Sequence, residues 1–475
     1  MLLSSFMSDD STSLDLLENL RTLLARLAPG DRLPSSRELI EQHRVSPVTV
    51  SRVIAQLAAE GAVVTKPGSG TYVASRAKDR GPAPDTGWQT IALSDRSIDT
   101  GPVTDELGPV PNGAILLDGG YLHRTLQPTR ALSSALARAA RRPDAWDRTS
   151  ANGLTPLRAV FAANSNGVTP DDVLITAGGQ SALSMALRAI VAPGSPVLVE
   201  SPTYPGALAA ARAAGLRPVP VPMDANGVRP DLLAEAFAMT GARAFYCQPT
   251  FHNPTGRVLS QERRGQVVEV ARAAGAFVIE DDFARLLGHG GPVPRPLVED
   301  DRDGTVVYVT SLTKPAAPSL RIGAIIARGP VMERLRAVRR VDDFFVARPM
   351  QEAALELVSS PAWDRHLRAL SAALRERCTQ LTAAVTRQCP DWDLGHPPAG
   401  GLHLWIELPA GADAVSVSRS ARDNNVAVSY GNRYFAAETP TACLRLAFAA
   451  ATDTPELLEG ARRLGSLARH GGIVG

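Results

Sequence analysis

Five short runs of almost unbroken apolar residues constrain this chain most: VLITAG (173–178), PVLVESP (196–202), AFYCQPT (244–250), AFVIEDD (276–282) and TVVYVTSLTK (305–314). They alternate with segments of helical spacing, such as those opening at Gln180 and Gly206. A strand that is apolar on both sides must be covered on both faces, so the alternation predicts a mainly parallel sheet between helical layers. The last third reads differently. GLHLWIELP (401–409), NVAVSY (425–430) and CLRLAFA (443–449) alternate with shorter helices and predict a smaller α+β domain. There is no internal repeat.

At 475 residues the chain is long enough for about three units. Residues 12–28 repeat apolar positions at helical spacing and stop at Pro29-Gly30; a second short helix follows Ser35/Ser36, and a third starts near Ser46 with Val50, Val53, Ile54 and Leu57 on one face. GAVVTKPGSGTYVA is then a hairpin turning at Lys66–Gly70. Three helices and a hairpin outline a winged helix-turn-helix. The expected divisions are a winged helix over 10–75, a Pro/Gly/charge-rich linker over 76–96 and a body over 97–475, its large domain about 150–340 and its small domain about 341–475.

Fifty basic against 48 acidic side chains leave a net charge of +2, so contact with nucleic acid must come from a local patch. The four cysteines form no CxxC pair, which excludes the usual zinc clusters, argues against a disulfide scaffold and suits a reducing compartment. The N-terminus lacks a basic region before Asp9 and Asp10, and no run approaches the roughly 18 apolar residues of a membrane span. A soluble, cytoplasmic protein is expected.

The stretch LPSSRELIEQHRVSPVTVSRVIAQLAAEGAVVTKPGSGTYV, beginning at Leu33, resembles the GntR-type winged helix, whose pattern runs LPS-x-R-x-L, VS-x-x-TV, EG and G-x-G-T-x-V. The resemblance implies DNA contacts from Arg37, Ser46, Thr49, Arg52, Lys66 and Ser69. Arg37 and Lys66 would touch the backbone and Thr49 and Arg52 the major groove. Pro47 and Ser51 stand where the family often carries arginine, and residues 1–76 hold eight basic and eight acidic side chains. Gly68-Ser69-Gly70 is a wing turn; the third glycine of a dinucleotide fingerprint is missing.

The chain has three lysines, and Lys314 is the only one after residue 78. It closes the apolar run TVVYVTSLTK, at the edge where α/β sheets form ligand sites. Ser311 and Arg321 bracket it with groups suited to a phosphate, and Gly178-Gly179-Gln180 offers helix-opening amides to the same anion. Asp281 ends its strand and can pair with a protonated ring nitrogen; Asn253, in HNPTG, can donate to a phenolic oxygen. Together these complement pyridoxal 5'-phosphate group by group.

This set resembles the fold-type I aminotransferases over roughly residues 110–460. The resemblance implies that Lys314 forms the aldimine with the cofactor, that Asp281 holds the pyridine nitrogen and Asn253 the 3'-oxygen, and that Ser311, Arg321, Gly179 and Gln180 hold the phosphate. Arg445 matches the arginine that clamps a substrate carboxylate, and Tyr204 a residue beside the ring; His252 and His403 are expected to support the scaffold. Phe283 stands where the family usually has a tyrosine hydroxyl near the 3'-oxygen, and Arg148 where it has a tyrosine that reaches the partner subunit.

A GntR-like winged helix followed by an aminotransferase-like body resembles the MocR-type (GabR-like) transcriptional regulators across almost the whole chain. The resemblance implies a head-to-tail homodimer on a double-stranded DNA operator, sensing pyridoxal phosphate or a small amino compound through Lys314. The alternative is a working aminotransferase that carries an accessory winged helix.

Overall fold

The computed structural model describes residues 4–74, 85–94, 101, 103 and 113–469, with side chains from residue 13 onward. The chain divides into two compact units, Met1–Ser97 and Ile98–Gly475.

The first unit holds helices α1 (Ser4–Leu24), α2 (Ser36–His43) and α3 (Pro47–Ala59) and the hairpin β1 (Val63–Lys66) and β2 (Gly70–Val73). Ser35 caps α2 in a capping box with Glu38, and Arg44 in the left-handed region ends it. Ser46 then caps α3, whose first residue is Pro47. Leu16, Leu20, Leu39, Val53 and Leu57 meet in the core. α1 stops short of the expected Ala28 because Arg26 and Leu27 bond three residues back, to Leu23 and Leu24, and tighten the last turn. Lys66 pairs with Gly70, so the wing turns over Pro67–Ser69. Of the expected linker, residues 76–84 and 95–96 lie outside the described residues. The rest is not wholly irregular: the Asp85 carboxylate accepts from Gly87 N–H at 3.0 Å, beside the start of a short helix, α4 (Gly87–Ala92).

In the second unit, a short strand β3 (Ile115–Leu116) precedes the eight strands of the main sheet. These are β4 (Val173–Thr176), β5 (Pro196–Ser201), β6 (Arg217–Asp224), β7 (Gly227–Val228), β8 (Ala244–Cys247), β9 (Phe277–Asp281), β10 (Val306–Ser311) and β11 (Gly323–Ile326). They lie in the order β4-β11-β10-β9-β8-β5-β6-β7. The run from β10 to β6 is parallel, whereas β11 is antiparallel to both its neighbours and β7 to β6. Both faces are buried. Leu198, Phe245 and Val278 enter one core, and Val197, Val199, Tyr246 and Ile279 enter the other.

The smaller domain pairs β12 (His403–Glu407), β14 (Ser429–Tyr430) and β15 (Cys443–Ala447) in an antiparallel sheet, and β13 (Val426–Ala427) with β3. Its limits differ from the expected 341–475. The helix Arg348–Val358 packs its Ala354 and Leu357 into the large-sheet core, whereas Ile115, Leu117 and Leu122 join Leu404, Leu444 and Phe448 in the small-domain core. The segment around residues 115–122 therefore crosses from the start of the body to its end, over the site described next. No helix among the described residues is long and apolar enough to cross a membrane.

Candidate functional site

The parallel strands deliver their polar residues at one edge. Register sets Asp281 of β9 beside Val309 of β10, two residues before Ser311. The nine residues expected to bind the cofactor all line one pocket of about 620 Å³: Lys314, Asp281, Asn253, Ser311, Arg321, Gly179, Gln180, Tyr204 and Phe283.

Asp281 is buried, and its Oδ2 accepts hydrogen bonds from the Tyr246 hydroxyl at 2.7 Å and the Gln248 amide at 2.9 Å. Burial raises its carboxyl above the usual range, against those two bonds, which favour the charged form. Gln248, just past β8, also accepts from Asn253 N–H at 3.0 Å, so one amide side chain fixes both residues. Arg445 donates to Asn253 Oδ1 at 3.0 Å, which leaves the Asn253 NH₂ as the outward donor. Arg445 itself is fully buried one layer behind Asn253 and is not part of the lining. Arg148 is exposed and outside the lining.

Beneath lies a buried pair. His252 Nε2 is 3.4 Å from Glu200 Oε2, but this is not an ion pair: burial pushes Glu200 up to about 8 and His252 down to about 3, so both are neutral at pH 7. The scaffold role expected for His252 fits that geometry. His403 does more than support the scaffold. It lines the pocket and keeps a buried Nε2 with no hydrogen-bond partner. Burial and the nearby Arg445 and Lys314 charges hold it well below the usual imidazole range.

The other end of the pocket is built for an anion. Gly178 (φ 85) opens the helix Gly179–Ile190, whose first amides and dipole point to the pocket. Arg321, held in the left-handed region at φ 51, donates to Ala177 O at 2.7 Å and lies across Gly178, where a Cβ would meet its guanidinium carbon at 2.9 Å. Ser311 Oγ accepts from Thr313 N–H at 3.1 Å, while the buried Thr313 hydroxyl has no partner of its own. A guanidinium, helix amides and two hydroxyls, one of them without a partner, fit the phosphate of pyridoxal phosphate. At the side, Tyr204 donates to Gln180 at 3.1 Å and packs on Gly206, where a Cβ would lie 2.3 Å from the ring.

Two carbonyls of one short segment close the site. Asp118 O accepts from Arg445 at 2.5 Å and Gly120 O from Lys314 Nζ at 2.6 Å. The Lys314 ammonium also sits 3.7 Å from the centroid of the Tyr121 ring. Sequence reasoning missed Gln248, Thr313 and Tyr121. Gln248 and Thr313 stand inside motifs already singled out, and only their neighbours were read; nothing marked Tyr121.

In the winged helix, Arg37, Ser46, Arg52, Lys66 and Ser69 are exposed, as DNA contacts must be. Thr49 is not. Its side chain is only 4% exposed and its hydroxyl is 2.8 Å from Ser46 Oγ, so its expected major-groove contact is corrected to a place on the buried face of α3. Val48, the residue before it, is 66% exposed. On the wing, Lys66 lies 5.1 Å from the Tyr72 ring centroid and Ser69 bonds the Tyr72 hydroxyl at 2.7 Å.

Residues 156–464 match the aminotransferase class I and II family, and residues 13–73 match the bacterial regulatory proteins of the gntR family. The chain is 26% identical to the HTH-type transcriptional regulator YdfD of Bacillus subtilis, covering 93% of this chain and 92% of that protein. It is 32% identical to the 2-aminoadipate transaminase of Thermus thermophilus, covering 74% of this chain and 89% of that enzyme. Among solved structures, alpha-aminoadipate aminotransferase from Thermus thermophilus, complexed with N-(5'-phosphopyridoxyl)-L-leucine, superposes with a TM-score of 0.74 at 30% identity, covering 81% of this chain and 98% of that one.

Proposed function

Because the chain belongs to the aminotransferase class I and II family, whose cofactor is pyridoxal phosphate, and opens with a gntR-family DNA-binding module, we propose that it is a transcriptional regulator. In this reading its body holds pyridoxal phosphate at Lys314, and its hold on DNA responds to that cofactor or to an amino compound that takes the lysine's place. The observation that carries it is the convergence of Lys314, Asp281, Asn253 and the Ser311–Thr313–Arg321 cradle on one pocket in a chain that keeps a capped, exposed winged helix.

Pyridoxal phosphate, when bound, supplies an aldehyde open to primary amines and an electron-withdrawing ring. The protein's own part is orientation. Asp281, locked by Tyr246 and Gln248, would accept from the ring nitrogen; Asn253, locked by Arg445, would donate to the ring oxygen; Arg321, Ser311, Thr313 and the amides of Gly179 and Gln180 would take the phosphate. Arg445, which already donates to Asn253 and to the Asp118 carbonyl, would turn toward a ligand carboxylate from behind Asn253. Arg37, Ser46, Arg52, Lys66 and Ser69 would face DNA, and a homodimer would bind an operator of two half-sites at fixed spacing.

The test is to recover genomic fragments bound by the full-length protein, footprint them, and repeat with pyridoxal phosphate and a panel of amino compounds. Sequence-specific protection that changes with these additions is expected; no specific protection overturns the reading. The 32% identity to a transaminase favours one rival, a working aminotransferase, which steady turnover between an amino donor and a keto acceptor would establish.

Phe283 lines the pocket without a hydroxyl. Phe283→Tyr adds a donor that stabilises a negative ring oxygen, so the pH at which the bound cofactor's visible band titrates is expected to fall. A midpoint that stays or rises contradicts the placement of Phe283 beside that oxygen.

A further inference from the structure

The segment Asp118–Tyr121 does not drift over the site; it is pinned on either side. Leu117 N–H donates to Ala427 O at 2.9 Å and Ala447 N–H to Leu117 O at 2.6 Å, while His123 N–H donates to Ala449 O at 2.8 Å. Between those anchors the Gly120 carbonyl and the Tyr121 ring face meet the Lys314 amine at 2.6 and 3.7 Å. Both contacts prefer one protonation state. An ammonium is the stronger donor to a carbonyl, and the face of an aromatic ring attracts the charged form far more strongly than the neutral one. A neutral amine, the form that attacks an aldehyde, loses most of the ring's attraction.

We propose that Tyr121 is a positioning residue for Lys314: its ring and the Gly120 carbonyl hold the lysine, before any cofactor is bound, as an ammonium and so set how readily it becomes the nucleophile that captures the cofactor. The other titratable and charged groups facing this amine are Asp281 at the end of β9, which favours its charge, and His403 of β12 and Arg321 beyond β10; the Tyr204 phenol lies at the mouth. His403 is neutral and Arg321 is taken up by Ala177, so neither replaces the ring. The consequence for sensing rests on the regulator reading; the contact itself does not.

The chain's three lysines make the test clean. Cofactor-free, full-length protein is treated with trace acetic anhydride between pH 6 and pH 9, and acetylation of Lys314 is read by mass spectrometry against Lys78. Only a neutral amine attacks the anhydride; acetate leaves and the amine proton passes to water. Tyr121→Leu is expected to raise Lys314 labelling about threefold to tenfold at pH 7.5 and to move its midpoint to lower pH. Tyr121→Phe, which keeps the ring, is expected to match the unsubstituted protein.

Several results overturn the proposal: labelling unchanged in Tyr121→Leu, labelling lowered, or labelling raised alike in the leucine and phenylalanine variants. A rate raised by the same factor at every pH also overturns it, because that reports access rather than charge. No DNA or cofactor enters the experiment, so its failure leaves the regulator reading standing, and failure to bind an operator leaves this contact standing.

Discussion

Lys314→Ala is expected to abolish the visible band that the full-length protein develops with pyridoxal phosphate, while leaving operator binding in place. The loss should be complete, because the band needs a covalent bond from an amine at that edge of the sheet, and the pocket's lining offers no other primary amine. The anion cradle is expected to survive the substitution, since Thr313 N–H bonds Ser311 Oγ, Arg321 bonds Ala177 O and the helix opens at Gly179 without the lysine. Weak, reversible binding of the phosphate should therefore persist, and dialysis should remove the cofactor from the variant but not from the unsubstituted protein. A band of unchanged strength and pH response in Lys314→Ala would contradict the assignment of this lysine. So would loss of operator binding before any ligand is added, because the substitution lies in the body.

The second large effect concerns stability. Glu200 is fully buried below the site and titrates near 8 in the folded chain, against about 4.5 for an ordinary carboxyl. Below pH 4.5 it is protonated whether the chain is folded or not, and it opposes nothing. Between pH 4.5 and about 8 the unfolded chain releases a proton that the folded chain retains, so the group's contribution declines as pH rises through that window. Glu280, pushed in the same direction by burial, adds to the trend. Glu200→Gln removes the titration and keeps an acceptor for the Gln248 N–H, which Glu200 takes at 2.7 Å. The variant is expected to be more stable at pH 8 by on the order of 2 kcal/mol, several degrees in Tm, with the difference vanishing near pH 4.5. Parallel stability profiles for the two proteins would refute the burial of a protonated carboxyl. His252 works at the other end of the scale: held down to about 3, it costs stability only as pH falls below 6.5.

What could be read from the sequence follows from where the physical signal lies. Strands buried on both faces must be apolar without a break, so β4, β5, β8, β9 and β10 announce themselves, and so do the polar residues at their ends, Asp281 and Ser311. Strand β11 is equally buried but only four residues long, and it follows Arg321 without a loop of its own. Thr49 was misplaced because its motif marks the start of a recognition helix without fixing which face each residue takes; the phase set by Val50 and Val53 turns it inward. The segment Asp118–Gly120 left no trace, because it acts through carbonyl oxygens that every residue possesses. Arg445 was legible as a residue type, but its burial behind Asn253 was not, since that depends on a loop nearly two hundred residues away.

The Asp118 and Gly120 carbonyls make displacement costly at two places. Each serves a different basic group, so a ligand that turned Arg445 away from Asp118 would forfeit that charge-assisted bond, at a cost of about 1–3 kcal/mol. A ligand that draws off Lys314 alone does the same to Gly120. A molecule that claimed both would incur both penalties unless it supplied donors for the two carbonyls. Ligands that can donate to this segment are thus favoured over those that only accept.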